Sequence, residues 1–497
     1  MNKYSLYFIL LFLGSFGVAL KFSSSHEKIP IGCDEFGYLN LSKAFTDGKA
    51  CADHTNRPYL HNLLDTLRKL KITENEISYM VTPHAYHVIP GTQKIINQYP
   101  PGTSLLLTPF PISYRQIIFP FVVTFLLILM TIIALKLNTS SGFSIFDLLF
   151  PVLIFIIMVS APFTTELSRI NSLAPTFGLL FAAGIILNHR PYVSLFLLAL
   201  TINFRIANLI MLLPIALFLP VKNLFRSQNI KNNLFVVLKS IGIVVLAILP
   251  ILIYNTFITG NPFASTYSSI DQKMAPWGNI AQNLSYYFGI EQRWLRFHCI
   301  TLLIGIVLTA TQKLHYTQLL KYTSFMLVNY LFFIFHEVKM DYYPYASSLL
   351  LFGIISGELI QIKFSEKYNT IIRTSFIGIA ILTFAVGIVR YSKKPHINFE
   401  DSKKSYETLC HYDIVWGDLY TGSSEYICNN SGFRYGPTTS RARKAAMFFL
   451  RDNNYSQVIL LNDNTVDSLT IVSEIKETGL SYHIQPDLHL GNLLIIE

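Results

Sequence analysis

The residues best suited to chemistry begin with an adjacent carboxylate pair. Asp34-Glu35 lies in Ile31-Gly32-Cys33-Asp34-Glu35-Phe36-Gly37-Tyr38-Leu39, shortly beyond the first apolar run. A carboxylate placed there can act as general base toward a hydroxyl. The same pair can instead cap a helix and complement its dipole, since Phe36, Leu39 and Ala44 fall on related faces. A second group, Thr164-Thr165-Glu166-Leu167-Ser168-Arg169-Ile170-Asn171, puts Glu166 and Arg169 between two apolar runs. A third is scattered: Arg205, Arg293, Asn261-Pro262-Phe263 with Tyr267, and His336-Glu337-Val338-Lys339-Met340-Asp341-Tyr342-Tyr343-Pro344. Acids, cations and aromatics of these types suit a sugar-phosphate pocket, because guanidinium pairs with phosphate in a fixed geometry.

The chain that must position them is apolar. Of 497 residues, 52% are hydrophobic and only 14% charged, against about 25% charged in soluble domains. Mean hydropathy is +0.42. Such a composition excludes disordered and collagen-like chains and disfavours a cytosolic enzyme. The net charge of +10 comes from 39 basic and 29 acidic residues. Most basic residues flank apolar stretches, where they orient helices and meet lipid headgroups, so no nucleic-acid partner is expected.

Apolar runs recur at 4–20, 116–136, 145–161, 172–188, 191–204, 206–220, 234–253, 298–312, 322–336, 343–361 and 374–389. Threaded from a cytoplasmic N-terminus, the inner loops hold more Lys and Arg than the outer ones. The groups at 164–171, Arg205, Asn261 and 336–344 then share the outer side. The stretch Thr103–Ile112, entered through Tyr99-Pro100-Pro101-Gly102, is too short to span and reads as a re-entrant or interfacial helix.

From Tyr391 the composition becomes that of a soluble domain. Ser440–Asn453 and Asp467–Thr478 read as helices, the second closed by Gly479; Gln457–Leu461 and Leu493–Ile496 read as strands. The expected architecture is an all-α polytopic membrane bundle of about 11 transmembrane helices with a small C-terminal α/β soluble domain. Its parts are a first transmembrane helix (1–22), an exported loop with interfacial helices (23–115), the transmembrane bundle (116–390) and the extracytoplasmic α/β domain (391–497). Two local cysteine pairs in exported segments point to disulfides Cys33–Cys51 and Cys410–Cys428, with four free thiols as the alternative that spacing leaves open.

Four features recur in this order in the GT-C glycosyltransferases. They are Asp34-Glu35 after the first span, Tyr99-Pro100-Pro101-Gly102, Phe204-Arg205 followed by an apolar run ending at Pro214, and Gly260-Asn261-Pro262-Phe263 after a span. Over residues 1–390 the chain resembles these polytopic enzymes, such as protein O-mannosyltransferases and lipid A aminoarabinose transferases. The resemblance implies an inverting transfer, at the outer face of a bacterial inner membrane, of a sugar from a polyprenyl-phosphate donor to a hydroxyl of a lipid, glycan or protein. Asp34 matches the family's base, with Glu35 beside it. Many relatives carry Ser-Asp-Ala-Pro where this chain reads Ser172-Leu173-Ala174-Pro175, so Glu166 stands as the candidate second acid. Arg205 is the first candidate for the donor phosphate, with Arg169, Arg293, Lys339, Tyr99 and Tyr342 as further substrate-binding candidates. No motif calls for a cofactor, and a divalent metal is left open. The competing reading is a transporter or flippase, which would need ionisable residues within the spans and a repeat; the spans hold few charges and no repeat is found.

Overall fold

The computed structural model describes residues 17, 32–50, 57–138, 166, 169–219, 230–264, 280–289, 292–311, 314–336, 339–361, 404, 406–436, 438–464, 466–487 and 490–497. In chain order the first helices are α1 (Cys33–Thr46), α2 (Leu60–Lys69) and α3 (Glu74–Met80). Next come strands β1 (Tyr86–Val88) and β2 (Ile95–Asn97), then α4 (Gly102–Leu107) and α5 (Arg115–Asn138). The helical series continues with α6 (Phe177–Ile186), α7 (Pro191–Leu200), α8 (Ile230–Ala247), α9 (Leu249–Thr259) and α10 (Ile280–Tyr287). It closes with α11 (Arg293–Ala310), α12 (Tyr316–Ile334) and α13 (Tyr345–Gln361). The C-terminal segment alternates: β3 (Ile414–Gly417), α14 (Thr421–Cys428), β4 (Ser431–Arg434), α15 (Ser440–Asp452), β5 (Gln457–Leu460), α16 (Ser468–Thr478), β6 (Tyr482–Asp487) and β7 (Gly491–Ile496).

Two compact units result. One comprises Met1–His26, Gln116–Leu252 and Gln272–Lys394; the other comprises Glu27–Arg115, Ile253–Asp271 and Pro395–Glu497. Residues 27–115 and the C-terminal segment, separate in the sequence, therefore share one unit.

From Gln116 onward the helical unit takes in Ile112–Leu137, the one helix among the described residues long and apolar enough to cross a membrane. Asn233–Ala247 and Leu249–Thr259 pass the same test as a pair bent by 61°. The remaining apolar runs form shorter helices, among them Ala174–Ile186, Pro191–Asn203, His298–Ala310 and Tyr345–Leu359. The run at 206–220 is broken into a 3-10 turn, Ile206–Met211, and the short helix Leu212–Ile215. The expected spans at 4–20, 145–161 and 374–389 lie outside the described residues. Helix α13 packs closely on α6. Side chains at Gly184 or Gly353 would overlap the facing backbone at Leu350 and Phe181, the close approach that small residues permit between apolar helices. Beside that contact His298 of α11 is fully buried and shared by Ser347, Ser348 and Tyr330 at 3.1–3.2 Å. A buried imidazole needs such partners, because unmet polar groups in an apolar interior are costly.

The second unit is an α/β sandwich with the expected C-terminal helices and strands close to their sequence limits. Asp467 accepts the Thr470 N–H as N-cap of α16, and Gly479 ends that helix at φ +70°. The five-stranded sheet has the order β4-β3-β5-β7-β6. Strands β3, β4 and β5 run parallel, while β7 runs antiparallel to β5 and β6. Helices α14 and α15 supply the crossovers, and Leu409, Val415, Val458, Leu460 and Leu493 are buried in its core. The segment after α1 lies against this sheet. Tyr59 contacts Phe433 and Tyr455 at ring distances of 6.2 and 5.0 Å, and Arg57 pairs with buried Glu425 at 2.5 Å. Across the α/β core Arg443 is bound by Glu474, which also accepts the Tyr435 hydroxyl at 2.7 Å.

Cys410 and Cys428 form a disulfide that ties the start of the segment to the end of α14. The expected Cys33–Cys51 bridge needs correction at its first partner. Cys33 is a free thiol, half-buried at the start of α1 near Asp34, Tyr99 and Arg434. Cys51 lies outside the described residues.

Candidate active site

Helix α1 carries the carboxylate pair, and its start decides between the two readings of Asp34. The N-cap is Gly32 at φ +90°, with no side-chain cap bond. Asp34 is the second helical residue, so it complements the dipole without capping. It is half-buried, and its Oδ1 accepts the Cys33 thiol at 3.5 Å. Glu35 is buried at 5% exposure, close to Tyr426.

The Tyr99-Pro100-Pro101-Gly102 motif is clasped onto α1. Asn97 donates to the Gly37 carbonyl at 2.8 Å and accepts the Tyr99 N–H at 2.7 Å. Ser104 donates to the Tyr38 carbonyl at 2.9 Å. With no side chain at Gly37 in the way, the Tyr99 ring lies flat on the helix, 4.9 Å from Tyr38, and reaches the Cys33 thiol. Burial, reinforced by Asp34, pushes that thiol up to about 12, so it stays protonated at neutral pH. Arg115, fully buried, anchors the same helix through Ser42 and Thr46 at 2.9 and 2.5 Å.

The helical unit assembles a second cluster around Arg205. That residue is extended, at φ −148° and ψ 111°, between 3-10 turns at Thr201–Asn203 and Ile206–Met211. Its guanidinium stands over the rings of Tyr342 and Tyr343, 5.2 and 5.3 Å from their centroids. Its Nη1 donates to Ser172 Oγ at 3.2 Å. The tetrapeptide Ser172-Leu173-Ala174-Pro175 thus meets Arg205 through its serine. Asn171 shapes that segment, accepting the Leu173 and Ala174 N–H groups at 2.9 Å and donating to the Glu166 and Arg169 carbonyls. Tyr345 donates and accepts with Thr176 and Asn208 at 2.9–3.1 Å, and Glu166 and Arg205 both lie within its electrostatic reach. A cation held over two aromatic faces is oriented yet keeps donors for an anion.

Arg205, Tyr342 and Glu166 are therefore brought together, and Asp34, Glu35 and Tyr99 form a separate cluster in their own unit. Arg169 and Lys339 are exposed. Arg293 opens α11, and its side chain lies outside the described residues. Among the described residues no three His, Cys, Asp or Glu side chains group as a metal cage.

No family model and no curated protein sequence matches the chain. Solved structures do. ArnT from Cupriavidus metallidurans bound to undecaprenyl phosphate superimposes with a TM-score of 0.53 at 9% identity, covering 98% of each chain. The apo state of that protein gives 0.51 at 9% identity, covering 99% of this chain and 98% of the other. This chain has the ArnT fold. The likeness in fold runs through the whole chain, including the C-terminal segment, which the short motifs did not reach.

Within the ArnT fold of this chain, several clustered residues had no signal of their own in the sequence. Tyr343 stood in the aromatic run that ends at Pro344 and Tyr345 lay just beyond it, but only the stacking on Arg205 and the bonds to Thr176 and Asn208 distinguish them. Tyr79 and His84 come from one segment and Asp418 and Arg434 from another, more than 300 residues away, and the α/β unit joins them. No spacing rule could have paired them.

Proposed function

We propose that this chain is a membrane glycosyltransferase of the GT-C type. It would move a sugar from a polyprenyl-phosphate donor to a hydroxyl acceptor, with inversion at the anomeric carbon, on the extracytoplasmic face of a bacterial inner membrane. The observation that carries the reading is the match along 98% of each chain to an ArnT structure that binds undecaprenyl phosphate. The seating of Arg205 over Tyr342 and Tyr343 supports it. The Cys410–Cys428 disulfide fits an oxidising, exported location for its unit.

In this reading Asp34 accepts the proton as the acceptor oxygen attacks the anomeric carbon. The polyprenyl phosphate leaves from the opposite side of the ring, which inverts the stereochemistry. A phosphate is a good leaving group and a hydroxyl a poor nucleophile, so help is needed at the acceptor proton. Arg205 meets the charge on the departing phosphate, and Tyr342 holds its guanidinium in place. Glu166 takes the part of the second acid, and Glu35 supports Asp34 from behind. Tyr99 fixes the start of α1, while Arg169, Arg293 and Lys339 contribute positive charge toward the anionic donor.

The test is release of free polyprenyl phosphate when the purified chain meets a lipid-linked sugar and membrane glycolipids. Movement of the lipid-linked sugar across a vesicle without that release would replace the transferase reading with a flippase.

A further inference from the structure

At the carboxyl ends of β3 and β4 lies a polar cluster that the reaction above does not use. Arg434, the last residue of β4, is 9% exposed. Its buried Nε donates to no acceptor. The nearest carboxylate oxygen, Asp418 Oδ1, is 3.9 Å away, beyond hydrogen-bond reach. The guanidinium stands over the Tyr79 ring at 5.1 Å, and Cys33, Tyr99 and His84 lie within its field. The Nδ1 of His84 is likewise buried without a partner. Burial pushes the His84 imidazole down to about 3, so it is neutral and can donate or accept. Buried donors left unmet in a native structure call for an explanation.

The sheet supplies one. From β3 the chain crosses to β4 on one side and then to β5 on the other. Parallel sheets bind ligands at the carboxyl ends of strands where the winding reverses. The reversal falls between β3 and β5; the cluster lies next to it, at the carboxyl ends of β3 and β4, and adjoins the start of α1. Cys33, in the field of Arg434, donates to Asp34 at 3.5 Å.

We propose that Arg434, Asp418, Tyr79 and His84 form a subsite for a neutral carbohydrate, and that the hydroxyl acceptor is a glycan rather than a protein side chain. The assignment to the acceptor rests on the role proposed for Asp34. One guanidinium and one carboxylate cancel in charge, while the thiol and the imidazole are neutral, which suits a polyol better than a phosphate. A hydroxyl oxygen can accept from Arg434 Nε and donate to Asp418 Oδ1, filling the 3.9 Å gap that they cannot close themselves. Tyr79, half-buried beside the Arg434 guanidinium, adds an aromatic ring for the C–H side of a sugar.

Saturation-transfer NMR tests this on the full chain in a sugar-free detergent. The probe is methyl β-glucopyranoside and the control is N-acetylserine methyl ester. The glucoside should give signals with the wild type, at least about fivefold weaker in Arg434→Met and Asp418→Asn, and partly retained in Arg434→Lys. Tyr79→Leu gives the same reading should Arg434→Met not fold. Absence of glucoside signals in the wild type, equal signals in the variants, or binding of the serine ester through Arg434 would each overturn the proposal. Release of polyprenyl phosphate is scored separately. Glucoside binding without release removes the transferase reading and leaves a sugar site; release without glucoside binding does the reverse.

Discussion

The ring of Phe36 occupies the space that a side chain on Gly422 would need. Helix α1, which carries Asp34, is thereby seated directly on α14 of the C-terminal segment. The α/β fold at the end of the chain thus acts as the bed for a helix near its beginning. Arg57 against Glu425, and Tyr59 against Phe433, extend the same contact.

Adding one methyl group there should show it. Gly422→Ala forces Phe36 or α14 to shift, and overpacking of this kind costs about 1–3 kcal/mol. A lower melting temperature together with reduced transfer is expected. Phe36→Leu in the same chain, which removes the ring edge, should restore part of both.

Asp34→Asn separates base from scaffold. Gly32 caps α1 and Asp34 makes no cap bond, so the helix should survive the change. Transfer should fall by about 10²–10⁴-fold, the usual contribution of a general base. Unchanged release of polyprenyl phosphate would take Asp34 out of the mechanism.

Arg205 should be sensitive to shape as well as charge. Arg205→Ala should weaken donor affinity by about tenfold or more, the scale of a lost charged hydrogen bond. Arg205→Lys should retain part of it, since lysine keeps the charge but lacks the planar fork over Tyr342 and Tyr343. Titration with undecaprenyl phosphate reads both. Equal affinity in all three proteins would make Arg205 an anchor for the helix turn and nothing more.

The cysteines give a direct chemical reading. In denaturant without reductant, Cys33 and Cys299 should alkylate, while Cys410 and Cys428 should not. In the folded chain Cys33 should react slowly, because burial holds the thiol near 12. Replacing Cys410 and Cys428 by serine opens a loop of sequence separation 18 and should cost about 3 kcal/mol by loop entropy. Peptide mapping and melting curves check the two parts.

Asp463 predicts a pH dependence. Its carboxylate accepts the N–H groups of Asp418, Leu419 and Tyr420 at 2.8–3.0 Å. Burial nevertheless pushes it up from 3.8 to about 6. The folded chain then holds a proton that the unfolded chain has lost, so this group's contribution is complete below about pH 4 and disappears as the pH rises through about 6. The loss is about 3 kcal/mol at 1.36 per unit. Melting temperature should fall over that window in the wild type and vary less in Asp463→Asn. Parallel slopes for the two would refute the assignment.

The sequence by itself determined what depends on composition and local order. Apolar runs marked helices α5, α6, α7, α11, α12 and α13, because an unbroken apolar stretch has few other ways to satisfy its backbone. Asp467 and Gly479 bounded α16, since a cap and a left-handed glycine act within one turn. The order of four short motifs pointed to a fold that the whole chain shares with ArnT. Strands β3 and β4 and helix α14 carried no comparable local signal, and the docking of α1 on them joins residues nearly 400 positions apart. Tertiary structure also decided the partners of Arg205, Cys33 and Arg434. Ring stacking, a thiol set beside a remote arginine and an unmet guanidinium arise only where remote segments meet. Such contacts depend on packing across the fold, whereas caps and apolar periods depend on neighbours in the chain, and only the latter are written in the sequence itself.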